Sequence, residues 1–312
     1  MNTINFFNCF HNGDMFVSKE FIRQIVNDLP DFNFGYYHLN HPKTTKDLLI
    51  PHLGAPKFKE NIKFVEDDKV LNVNSWIGAY HPVHASEPPI FWNGGINYLC
   101  LYDTWKFIFN KINSYFETNL KIKDSPNDYI PTINYDLFDV SECDKFLGER
   151  KDSKKILFSN GSAMSGQSFA YDMSKIIIDF ALKYQQHDFI CTSKFEADLE
   201  NIFFTDDIFK SDDEFFETKV PWNNRSNNNC DLNEISYLSR SCDLIVGKNS
   251  GPFIYCMTKE NFMDPSKYII SFNADMEDSL GYGIDIECEY LFSNIFEHQS
   301  VVETVEEKLC LL

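Results

Sequence analysis

Residues 231–263, DLNEISYLSRSCDLIVGKNSGPFIYCMTKENFM, decide the fold of this chain. Asp231 and Glu234 have the spacing of a capping box, which predicts the start of a helix. The apolar run at 243–247 predicts a buried parallel strand. The loop Asn249-Ser250-Gly251-Pro252 then breaks the strand, and its proline suits the first turn of a following helix. The stretch therefore predicts a helix–strand–loop–helix unit of an α/β protein.

The loop at 249–252 has the features of an anion site. Free backbone N–H groups and the positive end of the helix dipole converge at a helix N-terminus that follows a small, glycine-containing loop. The hydroxyl of Ser250 adds a further donor. A plain structural turn is the alternative, because such loops are common in parallel sheets.

Length and charge limit the classes of protein. The 312 residues fit two domains of ~150 residues. The net charge of −19 argues against nucleic acid or an anionic membrane as the main partner. We find no run near the ~20 apolar residues of a membrane span, and the N-terminus lacks the basic start of a signal peptide. Together with nine scattered cysteines without a C-x-x-C pair, this predicts a cytoplasmic protein with reduced thiols.

The first 38 residues predict one βαβ unit. A strand at 4–10 leads into the polar turn His11-Asn12-Gly13-Asp14, and Ser18 is the expected N-cap of a helix to residue 27. A second strand follows at 32–38. The polar turn then lies at the carboxyl end of the first strand, where open α/β sheets place ligands and catalytic groups.

A second domain is expected to begin after the charged segment at 151–155. Its first strand, at 156–159, enters a small-residue loop at 160–168. In a parallel sheet this loop and the one at 249–252 open at the same edge, where together they could hold a diphosphate. The chain has neither G-x-x-x-x-G-K-[ST] nor G-x-G-x-x-G, which disfavours kinases, ATPases and typical NAD enzymes.

These motifs resemble those of GT-B glycosyltransferases, with the heptosyltransferase-like group, glycosyltransferase family 9, as the nearest in pattern. In that family a Gly-Asp pair precedes the first helix, here Gly13-Asp14, and the second domain carries a [DN]-[ST]-G loop, here at 249–251. The chain departs from the family at Asn249, where an acid is usual, and in the loop at 160–168, which lacks a lysine often found there.

The resemblance implies two Rossmann-like domains that face each other across a cleft. Residues 1–150 would bind the acceptor and residues 151–312 the nucleotide sugar, with the last helix, at 301–311, crossing back to the first domain. The implied reaction is an inverting, metal-independent sugar transfer to a glycan or lipopolysaccharide-type acceptor, with no cofactor beyond the nucleotide-sugar donor. Transient association with a membrane stays compatible with such an acceptor.

The resemblance implies the base and the two donor loops, and the positions of other polar residues add further candidates. Asp14 would be the general base that takes the proton of the acceptor hydroxyl, and His11 is the rival base. His81 and His84, in a proline-rich loop, are expected to pack within the loop or to contact the acceptor rather than to bind a metal, since no third ligand stands out. The expected donor-binding residues are Asn160, Gly161, Ser162, Ser165, Gln167, Ser193, Glu196, Asn249, Ser250 and Gly251.

Two other classes of function stay open at this point. A nucleotide-sugar epimerase shares the two-domain shape but needs several acid and base groups around the sugar, which the sequence does not reveal. A non-catalytic relative that binds a glycan or a protein partner is the other.

Overall fold

The computed structural model describes residues 1–8, 12–38, 57–58, 68–75, 79–80, 90–91, 97–137, 139–161, 171–209, 232–273 and 279–312, with backbone alone at 38, 57–58, 79–80 and 90–91. The chain separates into two compact units. The first comprises Met1–Pro131 with Leu280–Asp285, and the second comprises Thr132–Ser279 with Ile286–Leu312. None of the described helices is both long and apolar enough to span a membrane.

A small parallel sheet organises the first unit. Its described elements are β1 (Thr3–Asn8), α1 (Asn12–Asp28), β2 (Asn33–His38), β3 (Lys57–Phe58), β4 (Val70–Asn74), β5 (Ala79–Tyr80), β6 (Ile90–Phe91) and α2 (Tyr98–Phe116). The strand order is β3-β2-β1-β4 with parallel pairing throughout, while β5 and β6 form a separate antiparallel pair. The βαβ unit predicted for the first 38 residues is confirmed.

The core of the first unit joins α1 to α2 through aromatic rings. Phe21 on α1 stacks on Trp105 of α2, with ring centroids 5.1 Å apart, and on Tyr129, at 3.8 Å. All three side chains are buried. Because α1 and α2 share this core, the position of α1 against the sheet is set by packing along its length, not by its first turn alone.

The start of α1 differs from the prediction. The helix begins at Asn12, so Gly13 and Asp14 lie in its first turn and the expected N-cap, Ser18, lies in its interior. The Ser18 hydroxyl lies 2.7 Å from the backbone oxygen of Asp14 and 3.0 Å from that of Ser75. The prediction of Ser18 as N-cap is wrong because a polar residue that suits a cap also fits inside a helix when nearby carbonyls accept its hydroxyl proton.

A six-stranded parallel sheet organises the second unit. The described elements are α3 (Ser141–Glu149), β7 (Lys154–Ser159), α4 (Ser174–Lys183), β8 (His187–Cys191), β9 (Ile202–Phe204), α5 (Thr205–Ile208), α6 (Leu232–Ser239), β10 (Leu244–Gly247), α7 (Gly251–Cys256), α8 (Lys259–Phe262), β11 (Tyr268–Phe272), β12 (Glu289–Ser293) and α9 (His298–Leu309). The strand order is β12-β11-β10-β7-β8-β9, and every pair is parallel.

One face of this sheet packs against α4 and α9. Leu244 and Val246 of β10 lie on that face, in a core cluster with Ile177 of α4 and with Val301 and Val305 of α9. The last helix therefore packs on the core of the second unit. Its apolar face is already buried against the sheet that the preceding strands build.

The division between the two units falls earlier than the sequence indicates. The second unit begins at Thr132, so α3 belongs to it, whereas the charged segment at 151–155 suggested a boundary after residue 150. Cys143 on α3 is buried, and Arg150, just after the helix, lies over the ring of Phe203 with its guanidinium carbon 4.2 Å from the ring centre. The charged segment is a turn at 151–153 that leads directly into β7 of the same unit.

Candidate functional site at the carboxyl edge of the second sheet

The order of the strands creates a switch point between β7 and β10. From β7 the chain proceeds through α4 to β8 on one side, and β10 and β11 then add on the other side. Ligands of open α/β sheets bind outside the carboxyl ends of the strands at such a point. The two loops predicted to hold a diphosphate begin here, one after Ser159 and one after Gly247.

Close packing holds β7 and β10 together at this edge. A Cβ atom on Gly247 would lie 2.5 Å from a ring carbon of Phe253 and 2.9 Å from the Cβ of Ser159. Both distances are shorter than real Cβ contacts, so only glycine fits between the strand end and α7. The small residue before the loop is therefore required by packing.

A hydrogen bond between two serines joins the two loops. The hydroxyl oxygens of Ser159 and Ser250 lie 2.8 Å apart, and both residues are buried. Ser250 is the N-cap of α7, but its side chain does not cap the helix. The first turn of α7 thus keeps backbone N–H groups that its cap does not satisfy, beside the end of β7.

Asn160 locks the end of β7 to the end of β8. Its side-chain amide donates to the backbone oxygen of Ser193 at 2.8 Å, and its side-chain oxygen accepts from the backbone N–H of Ser193 at 2.9 Å. A Cβ atom on Gly161 would lie 2.7 Å from the Ser193 hydroxyl. Three of the predicted donor residues are therefore brought together, while Glu196 is exposed on the segment after β8.

Asn273 supports the second loop and was missed by the sequence analysis. It follows β11, is buried, and its side-chain oxygen accepts from the backbone N–H of Asn249 at 3.0 Å. Asn249 is itself buried. The sequence signal was a polar residue directly after the predicted strand at 268–272, the same signal that singled out the other loops.

Lys248 was also missed, and it brings a positive charge to the edge. It directly follows β10 and is 1% exposed. Burial lowers the pKa of Lys248, and attraction to Asp172, just before α4, acts in the opposite direction. A lysine placed between an apolar strand and the Asn-Ser-Gly loop is the sequence signal that could have found it.

Asp14 lies at the corresponding point of the first sheet. The chain runs from β1 through α1 to β2 on one side, and β4 lies on the other side of β1. Asp14 is in the first turn of α1 and 6% exposed. Ser18, one turn later, contacts the backbone oxygen of Ser75 after β4, and the Ser75 N–H donates to Phe7 of β1 at 2.8 Å. The start of α1 is thereby fixed to the carboxyl edge between β1 and β4.

Six predicted site residues lie outside the described residues: His11, His81, His84, Ser162, Ser165 and Gln167. The expected N-cap Asp231 lies outside them as well. Within the described ranges, His, Cys, Asp and Glu side chains form no group of three or more that could hold a metal ion.

Comparison with solved structures places the chain among glycosyltransferase folds. It is similar to the ADP-heptose lps heptosyltransferase II of E. coli, with a TM-score of 0.56 over 100% of this chain and 99% of that one, at 9% identity. It is also similar to a family 9 glycosyl transferase from Veillonella parvula DSM 2008, with a TM-score of 0.50 over 98% of this chain and 91% of that one, again at 9% identity.

Sequence comparison adds no relative: no family model matches the chain, and no curated protein does. The fold alone therefore carries the likeness, and the predicted fold class is confirmed by both solved structures and by the two parallel sheets. The facing of the two domains across a cleft stays a prediction. The chain has the α/β fold of the GT-B, heptosyltransferase-like glycosyltransferases.

Proposed function

We propose that this protein is a glycosyltransferase that moves a sugar from a nucleotide-sugar donor to the hydroxyl of a glycan or lipopolysaccharide-type acceptor. The donor binds the predicted second domain, residues 151–312, which lies within the second unit except for residues 280–285. The acceptor binds the first domain. The likeness in fold to an ADP-heptose lps heptosyltransferase and to a family 9 glycosyl transferase supports this class of reaction.

The observation that carries the proposal is the contact between Ser159 and Ser250 across the switch point, 2.8 Å between their hydroxyl oxygens. It brings the loop after β7 and the loop before α7 to one place. Hydroxyls and backbone N–H groups at a helix start favour phosphate oxygens. The diphosphate of the donor would lie against Gly161, Ser250 and Gly251, together with Ser162 and Ser165.

The remaining donor contacts follow from the neighbouring strand ends. Ser193 and Glu196, after β8, would line the nucleoside, with Glu196 toward the ribose. Asn160 would act by holding Ser193, to which it makes two hydrogen bonds. Asn249 would lie beside the sugar, held by the side chain of Asn273. Gln167 completes the predicted donor set.

In the proposed reaction Asp14 is the general base. Its carboxylate takes the proton of the acceptor hydroxyl as that oxygen forms a bond to the anomeric carbon of the donor. The bond between the anomeric carbon and the diphosphate oxygen breaks, and the nucleoside diphosphate leaves with the electron pair. Attack opposite the leaving group inverts the anomeric configuration, and the step uses no metal ion. His11 is the alternative base, and His81 and His84 would contact the acceptor.

The test is a turnover assay with a panel of nucleotide sugars and glycan acceptors, in the presence of EDTA. We expect release of nucleoside diphosphate together with an acceptor that gains the mass of one sugar. A nucleotide sugar that isomerises without release would instead identify an epimerase. Binding without any turnover, or no binding across the panel, would contradict an enzymatic transfer.

A further inference from the structure

Ser18 ties the first turn of α1 to the end of β4. Its side chain is fully buried, and its hydroxyl oxygen lies 2.7 Å from the backbone oxygen of Asp14 and 3.0 Å from that of Ser75. Asp14 lies one turn earlier in α1, whereas Ser75 directly follows β4. Both distances suit an O–H···O hydrogen bond. One hydroxyl proton is therefore shared between two carbonyl groups, one on the helix and one at the end of the sheet.

Ser75 is itself held by β1. Its backbone N–H donates to the backbone oxygen of Phe7 at 2.8 Å, and its hydroxyl donates more weakly to the same oxygen at 3.2 Å. Phe7 belongs to β1, and both residues are buried. The pairing of β1 with β4 thus continues one residue past the end of β4. The Ser18 hydroxyl therefore meets a carbonyl group whose position the sheet determines.

The first turn is the part of a helix that such a tie affects most. The first N–H groups of a helix have no partner within it, and helix ends open more readily than helix interiors. Asp14 lies in this first turn of α1 and is 6% exposed. A serine hydroxyl that bonds the carbonyl group four residues earlier can also bend the helix locally. Ser18 thereby influences where the backbone of Asp14 lies at the edge between β1 and β4.

We propose that Ser18 is a positioning residue for the sugar transfer, which holds the carboxylate of Asp14 within reach of the acceptor hydroxyl. This inference rests on the proposed function and gives a role to a residue that the sequence suggested only as a helix cap. A general base must lie within hydrogen-bond reach of the proton that it takes. A displacement of about 1 Å can lower the rate on the order of 10²-fold. Ser18 acts through Asp14 and needs no contact with either substrate.

A double-mutant cycle separates positioning from a general loss of structure. Turnover and donor affinity are measured for Ser18→Ala, Asp14→Asn and the double variant, with a donor and an acceptor that wild type uses and enough enzyme to follow the residual rate of Asp14→Asn. We expect Ser18→Ala to lose about 10–100-fold in kcat while donor affinity stays within about twofold of wild type. The double variant should turn over at the rate of Asp14→Asn, because the base that Ser18 positions is already absent.

Thr104→Val is the matched control. Thr104 lies on α2, and its hydroxyl donates to the backbone oxygen of Cys100, four residues earlier in the same helix, at 3.1 Å. The variant removes a hydroxyl bond of the same kind and nearly preserves the shape of the side chain. It should keep wild-type turnover, because this bond stays within α2.

Two results would overturn the role of Ser18 alone. One is wild-type turnover in Ser18→Ala, and the other is a loss as large in the Asp14→Asn background as in wild type, since independent effects add. If Ser18→Ala does not fold, Ser18→Cys keeps a similar volume with a weaker donor and goes through the same cycle. Wild-type turnover in Asp14→Asn would overturn the base together with the role of Ser18. A wild-type protein that turns over no donor would overturn the proposed function itself.

Discussion

At the scale of single residues, Asp14 carries the proposed acid–base chemistry. Asp14→Asn preserves the shape of the side chain and removes the base, so turnover should fall about 10²–10⁴-fold while donor affinity stays near that of wild type. Steady-state rates together with donor titration check this. Asp28→Asn, at the exposed far end of α1, is the control and should keep full turnover. Near-wild-type turnover in Asp14→Asn would show that Asp14 is not the general base and only contributes to the start of α1.

Gly247 and Gly251 are expected to be glycine for different reasons: packing at Gly247, and access of the donor to the backbone at Gly251. A Cβ on Gly247 would meet Phe253 and Ser159 at 2.5 and 2.9 Å, so Gly247→Ala should lower the free energy of unfolding by about 1–3 kcal/mol. A Cβ on Gly251 meets only Leu232, at 3.9 Å, an ordinary contact. Gly251→Ala should therefore fold as wild type does.

Donor affinity should separate Gly251→Ala from Gly247→Ala. A methyl group on Gly251 would block the close approach of a phosphate to the backbone, and losing about one hydrogen bond should weaken donor binding about tenfold. Denaturant unfolding and donor titration measure the two effects. Gly251→Ala with unchanged affinity for every donor that wild type binds would refute the placement of the diphosphate at α7.

At the scale of elements, a buried lysine, Lys267, binds the carbonyl groups at the end of α6. The ammonium of Lys267 donates to the backbone oxygens of Ser239, Arg240 and Cys242 at 3.0, 3.0 and 2.7 Å. These carbonyls lie at or just beyond the end of α6, and charged donors satisfy such groups well. Lys267→Met should lower the free energy of unfolding by about 1.5–3 kcal/mol. Chemical denaturation measures the loss, and Lys259→Met, on the exposed side of α8, should show almost none.

His187, at the start of β8, makes the second unit sensitive to acid. Burial lowers the pKa of His187 below its ordinary 6.5, with Asp243 acting in the opposite direction. As the pH falls below about 6.5, His187 is protonated in the unfolded chain but stays neutral in the folded chain. The free energy of unfolding therefore falls with pH until the lower pKa of folded His187 is reached. His187→Phe, which keeps the stacking on Tyr184, should lose less melting temperature between pH 7.5 and 5.5 than wild type. Equal losses would contradict this.

Local patterns predicted the strands and helices that matter but not all their contacts. The apolar runs before Asn160 and Lys248 found β7 and β10, because a buried parallel strand is a continuous apolar segment. The start of α1 was misjudged because Asn, Gly and Asp suit a turn and a first helical turn equally well. The contact between Ser159 and Ser250 depends on which strands become neighbours, and nothing in either segment encodes that.

At the scale of the whole molecule, the sequence indicated two parallel α/β units and missed how the chain divides between them. The segment Leu280–Asp285 returns to the first unit, and α9 stays in the second. Such long-range placement depends on which surfaces are left to cover once the sheets have formed. The six site residues outside the described ranges, among them His11, stay predictions from the motif alone.

We infer that a nucleoside diphosphate binds at the switch point of the second sheet. A crystal structure of the protein at saturating nucleoside diphosphate tests it most directly. We predict that the phosphates lie within hydrogen-bond distance of Ser250 and of the backbone at Gly161 and Gly251. A nucleotide bound at the carboxyl edge of the first sheet, or a second-sheet edge left empty at saturating ligand, would show that the donor site lies elsewhere.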